Sequence, residues 1–198
     1  RSAVVRSLEQ GWADMVTGER VRQALSDDDG RTGLRCLVSP TVEDGRLITA
    51  DDLPHGLVYV DETAIEYADV GEAASLARVA AGSDRLYVYR ALGRLYGPED
   101  TAVGAVISSP RRIRGLEGIA SENPLPGPII ALVQAALSPP RLLATRHRIA
   151  ALRAERARMV SALGCAAGQG DWLVLEGADR LRFAELGVAV HWLEGPNA

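Results

Sequence analysis

RLYVYRALGRLYG, residues 85–97, sets a run of apolar and aromatic side chains directly against a turn punctuated by Gly93 and Gly97. A run this short, bounded by turn residues, predicts a buried strand over 85–92. Three other runs share its character: RCLVSP (35–40), GLVYVDE (56–62) and AVGAVISS (102–109). Between them, ITADDL (48–53) offers Thr49 as the N-cap of a helical turn. GEAASLARVAAG (71–82) is an Ala-rich helix closed by Gly82. Strands alternating with helices predict an α/β architecture built on a mostly parallel sheet.

Outward from this centre the pattern changes. Residues 4–25 place Val5, Leu8, Trp12, Val16 and Leu25 at roughly helical spacing, and SDDDGRTG (26–33) follows as a polar loop. NPLPGPIIALVQAALSPP (123–140) predicts a helix entered through prolines and stopped by Pro139 and Pro140. Residues 145–163 align Ile149, Leu152, Arg156, Met159, Val160 and Leu163 on one stripe, a long amphipathic helix whose Arg-rich face turns to solvent. DWLVLEG (171–177) and VAVHWL (188–193) predict strands of a small terminal α+β lobe.

Composition narrows the function classes. At 198 residues the chain has the length of one ordinary domain, or of one with a small appended lobe. Its 47 % apolar and 24 % charged residues suit a soluble globular core. No apolar run approaches the roughly 18 residues of a bilayer span. RSAVVRSLEQGW at the N-terminus has no signal-peptide core, and the missing initiator Met predicts that residues precede Arg1 in the natural chain. Cys36 and Cys165, each in an apolar context, predict two buried, reduced thiols in a cytoplasmic protein. All 22 basic residues are Arg, so no side-chain amine is present to form a Schiff base.

Charge is uneven. Residues 1–100 hold 11 Arg against 18 Asp and Glu, net −7, and residues 101–198 hold 11 against 8, net +3. The basic stretches PRRIR (110–114) and RHRIAALRAERAR (146–158) are too mixed with apolar residues to form a nucleic-acid surface. Three dispersed His and two isolated Cys give no metal-ligand spacing. GRLYGP is not a dinucleotide fingerprint, and no G-x-S-x-G occurs. No metal, nucleic acid or membrane partner is expected.

Four landmarks, in order, resemble one family. SPTVEDGRLITADDL is similar to a segment of the form P-N-N-P-T-G followed by a short helix. VYVDETAIEYAD is similar to a strand ending D-E-A-Y-x-x-F, and LYVYRALGRLYGPEDTAVGAVIS to R-T-x-S-K-x-x-G-L-A-G-x-R-x-G-Y. NPLPGPIIALVQAAL, the Arg-bearing helix and GVAVHW fit the family's interdomain helices and C-terminal lobe. Over about residues 34–193 the chain resembles the second half of a fold-type I pyridoxal-phosphate (PLP) aminotransferase, nearest the histidinol-phosphate aminotransferases. The resemblance implies a truncated PLP-transferase fold, similar to aspartate aminotransferase, with a small C-terminal α+β lobe. It divides the chain into an N-terminal helical segment (1–33) in place of the family's first half, a partial large α/β domain (34–122), and interdomain helices with the small lobe (123–198).

The same resemblance implies that most cofactor contacts have been lost. The Schiff-base Lys falls on Arg94, the Asn that binds the cofactor's phenolic oxygen on Val42, and the Tyr with the same task on Ala64. The phosphate-clamping Arg falls on Ala102 or a neighbour in EDTAVGAV, which contains no Arg. The substrate-carboxylate Arg is replaced by His191 or lies beyond Ala198, while Asp61 keeps the position that pairs with the pyridinium nitrogen. No bound cofactor is therefore expected.

In the implied fold Asp61, Glu62 and Arg94 lie at the carboxyl ends of adjacent strands, where α/β sheets bind ligands. Arg94 either neutralises a buried Asp61 as a structural repair, or clamps an oxyanion while Asp61 or Glu62 acts as general base. Tyr96, His147 and His191 are the candidate substrate-binding residues. Two functions follow. One is a PLP-independent, cofactor-free small-molecule enzyme (cyclase, isomerase, lyase or tailoring protein) of bacterial specialised metabolism. The other is a catalytically silent ligand-binding or partner subunit. The surface that the missing half would cover predicts a homodimer, with Trp12 and the apolar positions of 4–25 as interface or cover.

Overall fold

The computed structural model describes residues 34–96, 103–120, 126–175, 180–186 and 188–189. Four strands, β1 (Leu34–Val38), β2 (Leu57–Asp61), β3 (Leu86–Ala91) and β4 (Gly104–Ile107), form one sheet in the order β1-β2-β3-β4. β1, β2 and β3 are mutually parallel, and β4 runs antiparallel to β3. The fold is thus α/β with a mostly parallel sheet, and all four expected strands are present. Register sets Val38, Asp61 and Tyr89 in one row and Cys36, Tyr59 and Tyr87 in the row two residues before it, on the same face.

Strand alternation gives the sheet two unlike faces. On one, Val58, Val60, Leu86 and Val88 are 0–1 % exposed and pack with Ile48, Leu76 and Ala80 from the crossovers. Each such side chain contributes about 1.5–3 kcal/mol by leaving water. On the other lie Cys36, Tyr59, Asp61, Tyr87 and Tyr89, all half-buried. The Tyr59 and Tyr89 rings stack with centroids 6.3 Å apart and planes inclined by 22°. Tyr89 leans over Gly104, where a Cβ would come within 2.4 Å of the ring.

The helix expected over 71–82 is broken in two, a 3-10 turn at Gly71–Ala74 and helix α1 at Ala77–Ala81. The break has a local cause. Between the two pieces the Leu76 N–H donates to the Glu62 carboxylate at 2.6 Å and so leaves the helical ladder, while the Ser75 hydroxyl donates to the same carboxylate at 2.5 Å. Helix α2 (Gly93–Tyr96) follows β3, and α3 (Pro110–Ala120) follows β4. Helix α4 (Gly127–Ala136) ends before Ser138, and Pro139 with Pro140 opens the next helix, α5 (Pro139–Leu163), rather than only stopping the last. Gly164, at φ 64°, caps α5 in the left-handed region. A short helix, α6, spans Arg180–Glu185.

Two expectations for the C-terminal region change. The strands expected over 171–177 and 188–193 are irregular where described, at Asp171–Leu175 and Val188–Ala189. The first run instead packs Trp172 against a cluster of Ala64, Tyr67 and Leu95, which holds it without strand pairing. On α5 the expected orientation is partly reversed. Of the expected stripe, Ile149, Arg156 and Val160 turn inward and are joined by Arg153, whereas Leu152, Met159 and Leu163 are 43 %, 38 % and 49 % exposed. The expected helix over 4–25, with Trp12, lies outside the described residues.

Candidate functional site

Asp61 and Glu62 close β2 and, one residue apart in an extended chain, point to opposite faces. Asp61 Oδ1 accepts from the Thr63 N–H at 2.9 Å and from the Thr63 hydroxyl at 2.5 Å. Burial pushes its pKa above the ordinary carboxylate range, against the pull of the two Thr63 bonds. The half-buried tyrosine face surrounds it. Burial, then the nearby Asp61 charge, pushes the Cys36 thiol up to about 12. The Tyr59 and Tyr89 hydroxyls are raised by the same two causes, in the same order.

Glu62 is 0 % exposed, on the other face. Its oxygens accept from Ser75 and Leu76, and the Arg90 Nη1 lies 3.7 Å from Oε2. Burial raises its pKa, opposed by Ser75, Leu76 and Arg90. Arg90 also pairs with Glu66, which is 6 % exposed, and donates to the Ser75 hydroxyl at 3.3 Å. One guanidinium thus serves two buried carboxylates. The network is closed on itself and leaves Glu62 no solvent-facing oxygen.

The remaining candidates are dispersed. Arg94 sits in α2, but its side chain, and so the expected ion pair with Asp61, lies outside the described residues. Tyr96 packs on the Ala64–Tyr67–Leu95 cluster, and its pKa is raised by burial and then by the Glu66 charge, which places it beside the Arg90 network. His147 is exposed on α5, and His191 lies outside the described residues. The structure therefore sets Tyr96 near Glu66 and Arg90, and Glu62 on the face opposite Asp61. Cys36 and Cys165 are free thiols, half-buried rather than fully buried. Among the described residues no cluster of His, Cys, Asp and Glu could hold a metal ion.

Two groups of residues went unnoticed in the sequence. Arg90 and Glu66 organise the carboxyl ends of β2 and β3, and the signal for them was present: an arginine inside an otherwise apolar strand implies a buried partner. The Arg-rich face of α5, expected to turn to solvent, is in part engaged with the rest of the chain. Arg153 instead donates to the carbonyls of Glu66 (2.7 Å) and Tyr67 (3.3 Å), and Arg156 to those of Tyr67 (2.9 Å) and Gly170 (2.6 Å). Arg156 also pairs with Asp69, and Arg148 donates to the Leu95 carbonyl. These forks fix the segment after β2 and helix α2, which together carry Glu62, Glu66 and Tyr96.

Comparison with known proteins agrees with this architecture. No family model matches the chain. The histidinol-phosphate aminotransferase of Xanthomonas oryzae pv. oryzae is 34 % identical over 135 residues, which cover 64 % of this chain and 36 % of that enzyme. The structure of a histidinol-phosphate aminotransferase from Sinorhizobium meliloti, in complex with pyridoxal-5'-phosphate, superposes with a TM-score of 0.62 at 17 % identity, over 82 % of this chain and 47 % of that one. This chain is aminotransferase-like, of fold type I. The aminotransferase-like chain spans less than half the length of these relatives. The fold is not tied to one reaction: a decarboxylase from Sulfurospirillum multivorans superposes at a TM-score of 0.57 and 14 % identity, over 77 % of this chain and 42 % of that one.

Proposed function

We propose that this aminotransferase-like chain acts without PLP and handles a small molecule at the carboxyl ends of β2 and β3, with Asp61 as its acceptor. The observation that carries this reading is a pairing of loss and retention. No lysine occurs anywhere in the chain, yet Asp61 stands at its strand end, oriented by Thr63 and with its proton affinity raised by burial. The residues do not fit a tethered pyridoxal phosphate. Ala64 is packed into an apolar cluster with Tyr67 and Leu95 and offers no hydroxyl, and Val42 offers no polar atom. In this reading Arg94 clamps the ligand's anionic or carbonyl group, and Glu62 is structural because its oxygens are already engaged. The class of reaction is isomerisation, lyase chemistry or cyclisation by proton transfer, in a cytoplasmic homodimer.

The test is direct. Adding pyridoxal phosphate gives no aldimine absorbance in the visible, whereas a thermal-shift screen of small carboxylates and carbonyl compounds finds ligands whose effect is lost in Asp61→Asn and Arg94→Ala. A stable aldimine band, or ligand responses indifferent to both substitutions, overturns the proposal. A second reading, a silent partner subunit, is favoured by the exposed Ile130, Leu132 and Leu143 on α4 and α5. It predicts no ligand response and a stable complex with another polypeptide.

A further inference from the structure

Residues 168–172, an irregular run after α5, touch the chain that leaves each of the three parallel strands. The Gln169 N–H donates to the Gly45 carbonyl, in the turn after β1, at 2.9 Å. The Gln169 side-chain amide pairs with Asp69, after β2, accepting from its N–H at 2.8 Å and donating to its carboxylate at 3.1 Å. Trp172 packs on the cluster of Ala64 and Tyr67, after β2, and Leu95, in α2 after β3. Glycines allow the close fit. A Cβ on Gly45 would lie 2.6 Å from the Gly168 Cα, and one on Gly170 would lie 2.5 Å from the Trp172 ring. The run thus crosses the end of the sheet at which open α/β sheets bind ligands.

One polar atom in this run stands apart. The Trp172 Nε1 is buried, and among the described residues no acceptor takes its proton. A buried indole N–H ordinarily finds a partner. The nearby carbonyls are engaged by α5: Glu66 and Tyr67 accept from Arg153, Tyr67 and Gly170 from Arg156, and Leu95 from Arg148. We propose that the Trp172 N–H is a binding donor for the small molecule handled at this end of the sheet, and that it takes an oxyanion or carbonyl oxygen. An indole N–H donates and never accepts, so its ligand group is an acceptor, and a charged one is held more strongly. Trp172 as a whole is half-buried, in a run without a helix or strand ladder, so a small displacement of the run opens the N–H to a ligand. The inference rests on the small-molecule reading above and names the residue that meets the molecule's acceptor.

Indole signals in 1H–15N NMR spectra of the unsubstituted chain test this. The chain has three tryptophans, Trp12, Trp172 and Trp192, and Trp172→Phe identifies one signal by its loss. Should that variant fail to fold, Trp12→Phe and Trp192→Phe assign the signal by elimination. Pyruvate, which carries a carboxylate and a carbonyl, and inorganic phosphate are titrated in turn. At least one of them moves the Trp172 indole proton downfield, saturably and further than the other two. In thermal-shift titrations with that probe, Trp172→Phe keeps a packed ring but weakens apparent binding roughly tenfold or more. An indole signal indifferent to both probes overturns the proposal and assigns the donor to ordered water. An unchanged apparent affinity in Trp172→Phe overturns it as well. The two readings fail separately. A Trp172 shift that survives Asp61→Asn and Arg94→Ala keeps the binding donor and withdraws the Asp61 site. A thermal response lost in those two variants, with the indole unmoved, keeps the Asp61 site and withdraws Trp172.

Discussion

Asp61 and Glu62 are consecutive carboxylates at the end of one strand, and they live in different chemistries. Glu62 is sealed among Ser75, Leu76 and Arg90, with no exposed surface. Among the described residues Asp61 is held by Thr63, on a half-buried face among tyrosines and a thiol. Both pKa values are raised by burial, yet among the described residues only Glu62 has a neighbouring guanidinium. A raised pKa alone therefore does not distinguish a working acid from a structural one. The partners do, because a charge matched by internal donors has no capacity left for a ligand.

If Glu62 is structural, the largest loss should come from its partner rather than from Asp61. Arg90→Met strands two buried carboxylates and is expected to cost about 3–5 kcal/mol of stability in urea unfolding. The α5 forks come next. Arg156→Lys replaces a planar fork that spans two carbonyls with a single ammonium, and is expected to cost about 1.5–3 kcal/mol, read from the same unfolding curves. On the tyrosine face Gly104→Ala pushes a methyl into the Tyr89 ring, with an expected cost of about 1–3 kcal/mol and a changed near-ultraviolet circular dichroism spectrum.

The smallest effect is the sharpest test of the contrast. A carboxyl whose folded pKa is raised binds its proton more tightly folded than unfolded, so stability falls as pH climbs from the unfolded value, about 3.9, through the folded one. Asp61→Asn removes that penalty and keeps an oxygen for both Thr63 donors. The variant should match the parent below about pH 4 and gain on it as the pH rises toward neutrality. Urea midpoints at acid and neutral pH check this, and a variant that is instead weakened at neutral pH would assign Asp61 a stabilising ionic partner.

Much of the sheet was legible in the sequence because buried parallel strands write themselves as short apolar runs between turn residues, as at 35–40, 56–62 and 85–92. The 71–82 helix was overdrawn because alanine content reports local propensity, whereas the break at Ser75 depends on a carboxylate 13 residues away. The orientation of α5 misled for a similar reason. Periodicity assumes that arginine seeks water, and it does not reveal that Glu66, Tyr67 and Gly170 present carbonyls within reach of a guanidinium. The Asp61–Glu62 pair was found, but the division between its members follows from tertiary partners that strand alternation alone does not name.

Arg148, Arg153 and Arg156 reach from one long helix to peptide oxygens on three separated stretches of chain. Such an arrangement works as a buckle. Its acceptors are main-chain oxygens that no side-chain substitution removes, so the fastening comes undone only at its arginine ends.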